Sequence, residues 1–142
     1  MKKTTIFLIS FLTFVGCATK QGTSPQELGE KPDVFCRVIQ KPDPLLLGTW
    51  ESHFVRLVEE GQLDKNYVKY QLVEYNDKYA LYFHRRYGNR KKRITEWKNW
   101  TINGREVSGE AKFGVRIFVQ GSEVYFTIRG LEEPVKMSRV EE

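Results

Sequence analysis

Several features that would point to an enzyme are scarce or missing in this sequence. The chain of 142 residues has two cysteines and two histidines, and it has no Cys-x-x-Cys or His-x-x-x-His spacing that would suit a metal. No glycine-rich loop of the kind that cradles phosphate is present. His53 and His84 fall on different predicted strands, and neither has a convincingly placed nucleophile beside it. We therefore expect no catalytic residues, no metal site and no cofactor.

The sequence also lacks an apolar run long enough to cross a membrane. The run over residues 6–15 is shorter than the roughly 20 residues that a transmembrane helix needs. Lys2 and Lys3 precede this run and the small residue Gly16 follows it, which is the layout of a secretory signal. We predict that residues 1–16 are a cleaved signal peptide.

The residue after the predicted cleavage site is a cysteine. Gly16 followed by Cys17 resembles the bacterial lipobox, although Phe14 stands where that motif usually has leucine. The resemblance implies a lipoprotein in which Cys17 carries acyl chains such as palmitate, and several chains would anchor it stably in a membrane. The residue directly after Cys17 is Ala18 and not aspartate, and in this the chain resembles lipoproteins that are passed on to the outer membrane. The expected location is the cell envelope, on the outer membrane facing the periplasm; an ordinary signal peptide is the alternative.

The segment after the cysteine has the composition of a tether. Four of the five prolines lie between residues 18 and 44, among polar residues, which predicts a flexible linker over residues 17–44. Within it the apolar stretch VFCRVI, residues 34–39, is expected to dock on the folded body as a short strand or turn. Cys36 has no intrachain partner if Cys17 carries lipid. It is predicted to be buried and inert, with a disulfide to another chain as the alternative.

Residues 45–142 show short alternating runs separated by turn residues. This pattern predicts one all-β domain, an antiparallel eight-stranded up-and-down barrel. The predicted strands cover residues 48–58, 67–75, 79–86, 93–102, 105–112, 115–120, 123–129 and 134–140. Alternation then predicts the inward-facing residues, which are Trp50, Phe54, Val68, Tyr70, Leu72, Tyr79, Leu81, Phe83, Trp100, Ile102, Val107, Gly109, Ala111, Val115, Ile117, Val119, Val124, Phe126, Ile128, Val135 and Met137.

A Gly-x-Trp sequence opens the first predicted strand. Gly48 would let the backbone bend, and the ring of Trp50 could lie across one end of the barrel. The stretch LLGTWES ahead of an eight-stranded meander resembles the lipocalins and related calycins, whose hallmark is this Gly-x-Trp. The resemblance implies a lipocalin-like barrel in which an arginine near its end, here Arg139, stacks on Trp50. The chain is shorter than typical lipocalins and lacks their Thr-Asp-Tyr motif.

Two functions remain open for such a domain. An eight-stranded barrel can hold a small apolar or amphipathic molecule, and the lining residues would be Tyr70, Leu81, Phe83, Trp100, Ile117 and Phe126. The inward set is rich in large side chains, however, so a filled barrel is the alternative. The protein would then be a structural or interaction lipoprotein that contacts anionic lipid or an envelope protein, or that inhibits an envelope hydrolase through residues 18–44.

One local composition stands out, in HRRYGNRKKR at residues 84–93. Without residues 1–16 the chain has 21 basic and 18 acidic residues, and removing the six basic residues of this hairpin leaves 15 against 18. The sequence predicts a basic surface patch that attracts lipid phosphates, or a solvated turn that protects a sheet edge. Its residues are Arg85, Arg86, Arg90, Lys91, Lys92 and Arg93. No nucleic acid is expected as a partner, because a secreted chain has little access to it.

Overall fold

The structure is a computed structural model that describes residues 31–58, 61–88 and 93–141. Within these residues the regular secondary structure is almost entirely β. A single turn of 3-10 helix, Pro44–Leu46, precedes the longest strands. In this part of the chain no helix is long and apolar enough to cross a membrane. The strands are β1 (Arg37–Gln40), β2 (Gly48–Val58), β3 (Gln62–Tyr75), β4 (Lys78–Tyr87), β5 (Arg93–Lys98), β6 (Thr101–Asn103), β7 (Glu106–Ser108), β8 (Arg116–Gln120), β9 (Glu123–Thr127), β10 (Val135–Lys136) and β11 (Ser138–Arg139).

The strands form two sheets. One has the order β11-β2-β3-β4-β5 and the other the order β1-β6-β7-β8-β9-β10. Neighbouring strands are antiparallel except β1 and β6, which run parallel. The prediction of an all-β, mainly antiparallel fold is confirmed. The strand count is corrected, because the described residues form eleven strands in two sheets rather than eight strands in one closed sheet.

Two predicted strands are divided where the chain passes between the sheets. The predicted strand over residues 93–102 is interrupted at Asn99 and Trp100, so that β5 pairs with β4 while β6 pairs with β7. The predicted strand over residues 134–140 is interrupted at Met137, so that β10 pairs with β9 while β11 pairs with β2. These two divisions, together with β1, account for the difference between eight strands and eleven.

The core between the sheets is the set that alternation predicted, with few exceptions. Its buried cluster consists of Leu46, Trp50, Phe54, Val68, Tyr70, Leu72, Tyr79, Leu81, Phe83, Trp100, Ile102, Val107, Val115, Ile117, Val119, Val124, Phe126, Ile128 and Met137. Leu46, from the 3-10 helix, was not predicted. Ala111 is exposed because β7 ends at Ser108, three residues before it. Val135 is partly buried against the same cluster.

The folded body begins before residue 45, the predicted boundary. The amide of Cys36 donates a hydrogen bond to the Tyr79 carbonyl at 2.9 Å, and β1 follows directly. Val34 and Phe35 pack on a small second cluster on the outer face of the five-stranded sheet. The docking expected for residues 34–39 is therefore found, and residues 34–44 belong to the body rather than to a free tether. The predicted signal peptide and Cys17 lie outside the described residues.

Candidate functional site

The structure brings Gly48, Trp50 and Arg139 together around one carbonyl. The Leu47 carbonyl accepts a hydrogen bond from Trp50 Nε1 at 3.3 Å and another from Arg139 Nη2 at 3.0 Å. The guanidinium carbon of Arg139 lies 5.1 Å from the centroid of the Trp50 ring, within the range of a cation–π contact. Gly48 has a φ of 96°, which favours glycine. The start of β2 is thus held to the end of β11.

The six residues predicted to line a ligand cavity instead fill the core. Tyr70, Leu81, Phe83, Trp100, Ile117 and Phe126 are each at most 6% exposed and belong to one cluster. The rings of Phe83 and Trp100 have centroids 4.8 Å apart. The Tyr70 hydroxyl donates to the Leu46 carbonyl at 3.1 Å, and burial raises the pKa of Tyr70 well above its ordinary value.

A small cavity of about 80 Å³ lies beside Phe83 and Trp100, where Glu110 and Arg85 also contribute to its wall. A water occupies about 30 Å³ in the liquid, so this space suits two or three waters. It is far below the several hundred Å³ of a pocket that encloses a small organic ligand. The side chains predicted to line a cavity therefore form a packed interior.

Arg85 is not part of a surface patch, which corrects the prediction from composition. Its side chain is 5% exposed, and its guanidinium carbon lies 5.9 Å from the Phe54 ring centroid. Side chains alternate along β4, so Arg85 lies on the same face as Leu81 and Phe83. Arg86, one residue later, is exposed.

The rest of the predicted basic patch is described only in part. Arg90, Lys91 and Lys92 lie outside the described residues, and of Arg93 only the backbone, at the start of β5, is described. Arg86 is thus the one member whose side chain the described part of the chain places on the surface.

The outward face of β2, β3 and β4 carries both histidines, two tyrosines and several charged groups in three rows across the strands. The rows follow from the strand register, because directly opposed residues in paired strands point to the same face. They are Thr49, Gln71 and Tyr82; Glu51, Lys69 and His84; and His53, Tyr67 and Arg86.

Tyr67 lies on the middle strand of this outer face, in the row that it shares with His53 and Arg86. Its ring centroid is 4.8 Å from that of His53 and 5.9 Å from that of His84, and its hydroxyl donates to Glu51 Oε2 at 2.7 Å. Burial, together with the hydrogen bond to Glu51, raises the pKa of Tyr67 to about 12. The hydroxyl therefore stays protonated at neutral pH, and the ring is held in place. His84, which lies on the other side of Tyr67, is hydrogen-bonded through its Nδ1 atom to Thr95 Oγ1 at 2.7 Å.

This grouping was not predicted from the sequence, although a signal for it was present. Asn76 and Asp77 form a two-residue turn, and both have positive φ, of 50° and 62°, as a tight hairpin requires. Counting back from that turn places Lys69 opposite His84, as observed. Along the sequence itself nothing joins the two histidines.

A cleft of about 290 Å³ opens on this face, and its walls are formed by Tyr67, Lys69, Tyr70, Gln71, Tyr82 and His84. Its volume lies near the lower end of the range of roughly 300–1,000 Å³ that small-ligand sites occupy. Gln71 is 2% exposed, and its Oε1 and Nε2 atoms have no hydrogen-bond partner among the described residues. Leaving a buried polar group unpaired costs about 1–3 kcal/mol, so this amide is a candidate ligand contact.

The groups on the outer face suit binding. They supply ring faces, an ammonium group, imidazoles and an unpaired carboxamide. Among the residues that the structure describes, no three His, Cys, Asp or Glu side chains are grouped to hold a metal ion. Elsewhere, burial raises the pKa of Cys36 to about 11, which keeps its sulfur a thiol that donates to the Lys98 carbonyl at 3.6 Å.

Comparison of the chain with models of protein families, with curated proteins and with solved structures gives no match. The lipoprotein and lipocalin resemblances therefore rest on residues of this sequence alone.

Proposed function

We propose that this protein is a lipid-anchored lipoprotein of the cell envelope and that it is a binding module rather than an enzyme. The interior of its small lipocalin-like β-domain is packed, and the domain binds its partner on the outer surface. The observation that carries this proposal is the burial of the six side chains that an internal ligand would have to displace. Each is at most 6% exposed in one core cluster.

The anchor is the first part of the proposal. Two lysines, a short apolar run and Gly16 precede Cys17, and this order favours export followed by acylation of the cysteine. Acyl chains on Cys17 would hold the domain on the outer membrane. The first described contacts of the chain with the body are made by Val34 and Phe35.

The lipocalin-like part of the proposal is supported by the way the two sheets share chain segments. The segment around Met137 pairs with β9 through β10 and with β2 through β11, so the last strand lies beside the first long one. Arg139 on Trp50 is the contact that the resemblance implies at this place. Two sheets joined by this segment around a filled interior account for both observations.

Two mass measurements test the proposal. Protein extracted from bacterial membranes with detergent should carry the added mass of acyl chains, and Cys17→Ser should lack it. A version that begins at residue 18 should give the same native mass before and after extraction with organic solvent, and again after incubation with fatty acids. A co-purifying mass that leaves on extraction would contradict the packed interior and favour a ligand between the two sheets. An unmodified Cys17 would contradict the anchor.

A further inference from the structure

Gln71 is the residue of the outer cleft whose chemistry the fold does not use. It lies in the middle strand of the sheet, between Thr49 and Tyr82, and its side chain is almost completely buried. A carboxamide offers an oxygen acceptor and two N–H donors, and buried polar groups are nearly always hydrogen-bonded. Within the described part of the chain neither the oxygen nor the nitrogen has a partner. The site therefore has an unused acceptor beside an unused donor.

The ring walls of the cleft are held in position before any ligand arrives. Tyr82 contacts Trp97 edge to face, with centroids 4.8 Å apart. Tyr67 is fixed by its bond to Glu51 and by the guanidinium of Arg86, 5.5 Å from its ring. Walls that are already ordered lose little conformational entropy when a ligand binds. Two fixed aromatic side chains thus form part of the wall of the cleft that Gln71 also lines.

The cleft also holds one cation that is available to a ligand. Glu51 stands directly opposite Lys69 in the register, but its carboxylate accepts the hydrogen bond from Tyr67. Lys69 makes no ion pair with any residue that the structure describes. Its ammonium group is a point charge on a flexible stem, and can meet an anionic group at the rim.

We propose that this cleft binds an acidic N-acetylated sugar of the kind found in bacterial cell walls. An acetamido group carries one N–H and one carbonyl, so it can bond to the oxygen and the nitrogen of Gln71 together. The C–H face of a pyranose ring packs on the aromatic wall, and the carboxylate of the sugar meets Lys69. The inference rests on the proposed function, because a lipoprotein of the envelope meets these sugars.

The shape and charge of the cleft favour this ligand class over others. A space of about 290 Å³ suits a single substituted sugar. A nucleic acid would require a series of cations along its backbone, whereas among the described residues Lys69 is the only Lys or Arg that lines the cleft.

The ligand is tested first by calorimetric titration of the full-length protein in detergent. The probes are N-acetylmuramic acid, N-acetylglucosamine, which lacks the carboxylate, and glucosamine, which lacks the acetyl group as well. We expect saturable binding of N-acetylmuramic acid, binding of N-acetylglucosamine that is about tenfold weaker, and no binding of glucosamine. Failure of N-acetylmuramic acid to bind at about 10 mM would overturn the inference, as would equal binding of all three.

Variants assign the two contacts. Gln71→Leu keeps the size of the side chain but removes the amide, so we expect binding to fall at least about tenfold and Tm to stay the same or rise. Lys69→Gln should reduce binding of N-acetylmuramic acid to the level of N-acetylglucosamine and leave the latter unchanged. Lys112→Gln, at an exposed lysine in the turn between β7 and β8, is the matched control and should change nothing.

The outcomes separate this inference from the proposed function. A Gln71→Leu protein that loses stability together with binding would show that the amide has a structural role, which overturns the assignment. An acylated Cys17 and a bare native mass, combined with no sugar binding, would leave the surface-binding lipoprotein intact and overturn only the ligand. Sugar binding that survives both Gln71→Leu and Lys69→Gln would place the site elsewhere.

Discussion

Arg139 lies against the ring of Trp50, with the guanidinium carbon 5.1 Å from the ring centroid, and both side chains donate to the carbonyl of Leu47. Two ends of the domain that are far apart in sequence are joined at this point. Trp50 is buried whereas Arg139 is exposed, so the two side chains should contribute unequally to stability.

Trp50→Ala should lower the free energy of unfolding by about 3–5 kcal/mol, because it removes a large ring from a packed core. Arg139→Met should lower it by only about 0.5–1 kcal/mol, which is the size of an exposed cation–π contact. Denaturant titration measures both. Arg129→Met, at another exposed arginine, serves as control. A loss below about 1 kcal/mol for Trp50→Ala would show that the ring does not close the core.

Neighbouring arginines on β4 should behave in opposite ways. Arg85→Gln should destabilise the fold by about 1–3 kcal/mol, since it leaves a shorter polar side chain in the space beside Phe54. Arg86→Gln should lower stability by no more than about 0.5–1 kcal/mol, the size of its exposed cation–π contact with Tyr67. It should weaken binding to anionic vesicles by about 1 kcal/mol, the contribution of one basic residue near such a surface.

Vesicle sedimentation with protein that begins at residue 18, and so has no anchor, measures the binding, and the same experiment with neutral vesicles is its control. If Arg85→Gln weakened vesicle binding while the fold stayed intact, the inward position of Arg85 would be wrong. If wild-type protein did not bind anionic vesicles, the headgroup hypothesis for the hairpin would be rejected.

Stability should fall in alkaline solution. Folding raises the pKa of Cys36 to about 11, that of Tyr67 to about 12 and that of Tyr70 well above 10. In the unfolded chain these groups lose their protons near their ordinary values, so above about pH 9 the unfolded state binds fewer protons than the native state. The free energy of unfolding therefore decreases as the pH rises through this range. A stability that stays constant from about pH 8 to pH 11 would contradict the burial of these groups.

Tyr70→Phe isolates one of the three groups. It removes the hydroxyl that donates to the Leu46 carbonyl, and should cost about 1 kcal/mol at neutral pH. It should also make the free energy of unfolding decrease less steeply with pH, by up to about 1.4 kcal/mol per pH unit above pH 10.

Cys36 should react slowly with alkylating reagents. A pKa raised from 9.0 to about 11 reduces the thiolate fraction at neutral pH by about 100-fold, and the thiolate is the nucleophile. Iodoacetamide labelling followed by mass spectrometry should be slower by at least this factor in native protein than in denaturant at the same pH. Cys17→Ser leaves Cys36 as the only thiol in the assay. Similar rates in the two states, or a disulfide-linked dimer, would contradict the prediction.

The sequence predicted the features that depend on the alternation of side chains along a strand. It did not predict the points at which the chain exchanges one neighbouring strand for another. Side chains of successive residues point to opposite faces, so the inward set could be read directly from the sequence. The division of two predicted strands at Trp100 and Met137 could not be predicted, because the side chains keep alternating there while the backbone hydrogen bonds pass from one sheet to the other.

Arg85 was placed on the surface because the basic composition of its hairpin outweighed the alternation that joins it to Leu81 and Phe83. The outer face needed a further step, since Tyr67 and His84 meet only through the register that the Asn76 and Asp77 turn sets. Gln71 could not have been singled out at all. Whether a glutamine finds a partner depends on three neighbouring strands and not on its local sequence.

The position of Met137 between β10 and β11 has a consequence for the order in which the chain folds. β2, β3 and β4 can pair as soon as they are synthesised, because only three residues separate β2 from β3 and only two separate β3 from β4. The other edge of β2 and the open edge of β9 must both wait for residues 135–139, and contacts between distant parts of a chain form late. A nascent chain that stopped short of those five residues would present two unpaired strand edges, the kind of surface that chaperones cover and that aggregates when they do not.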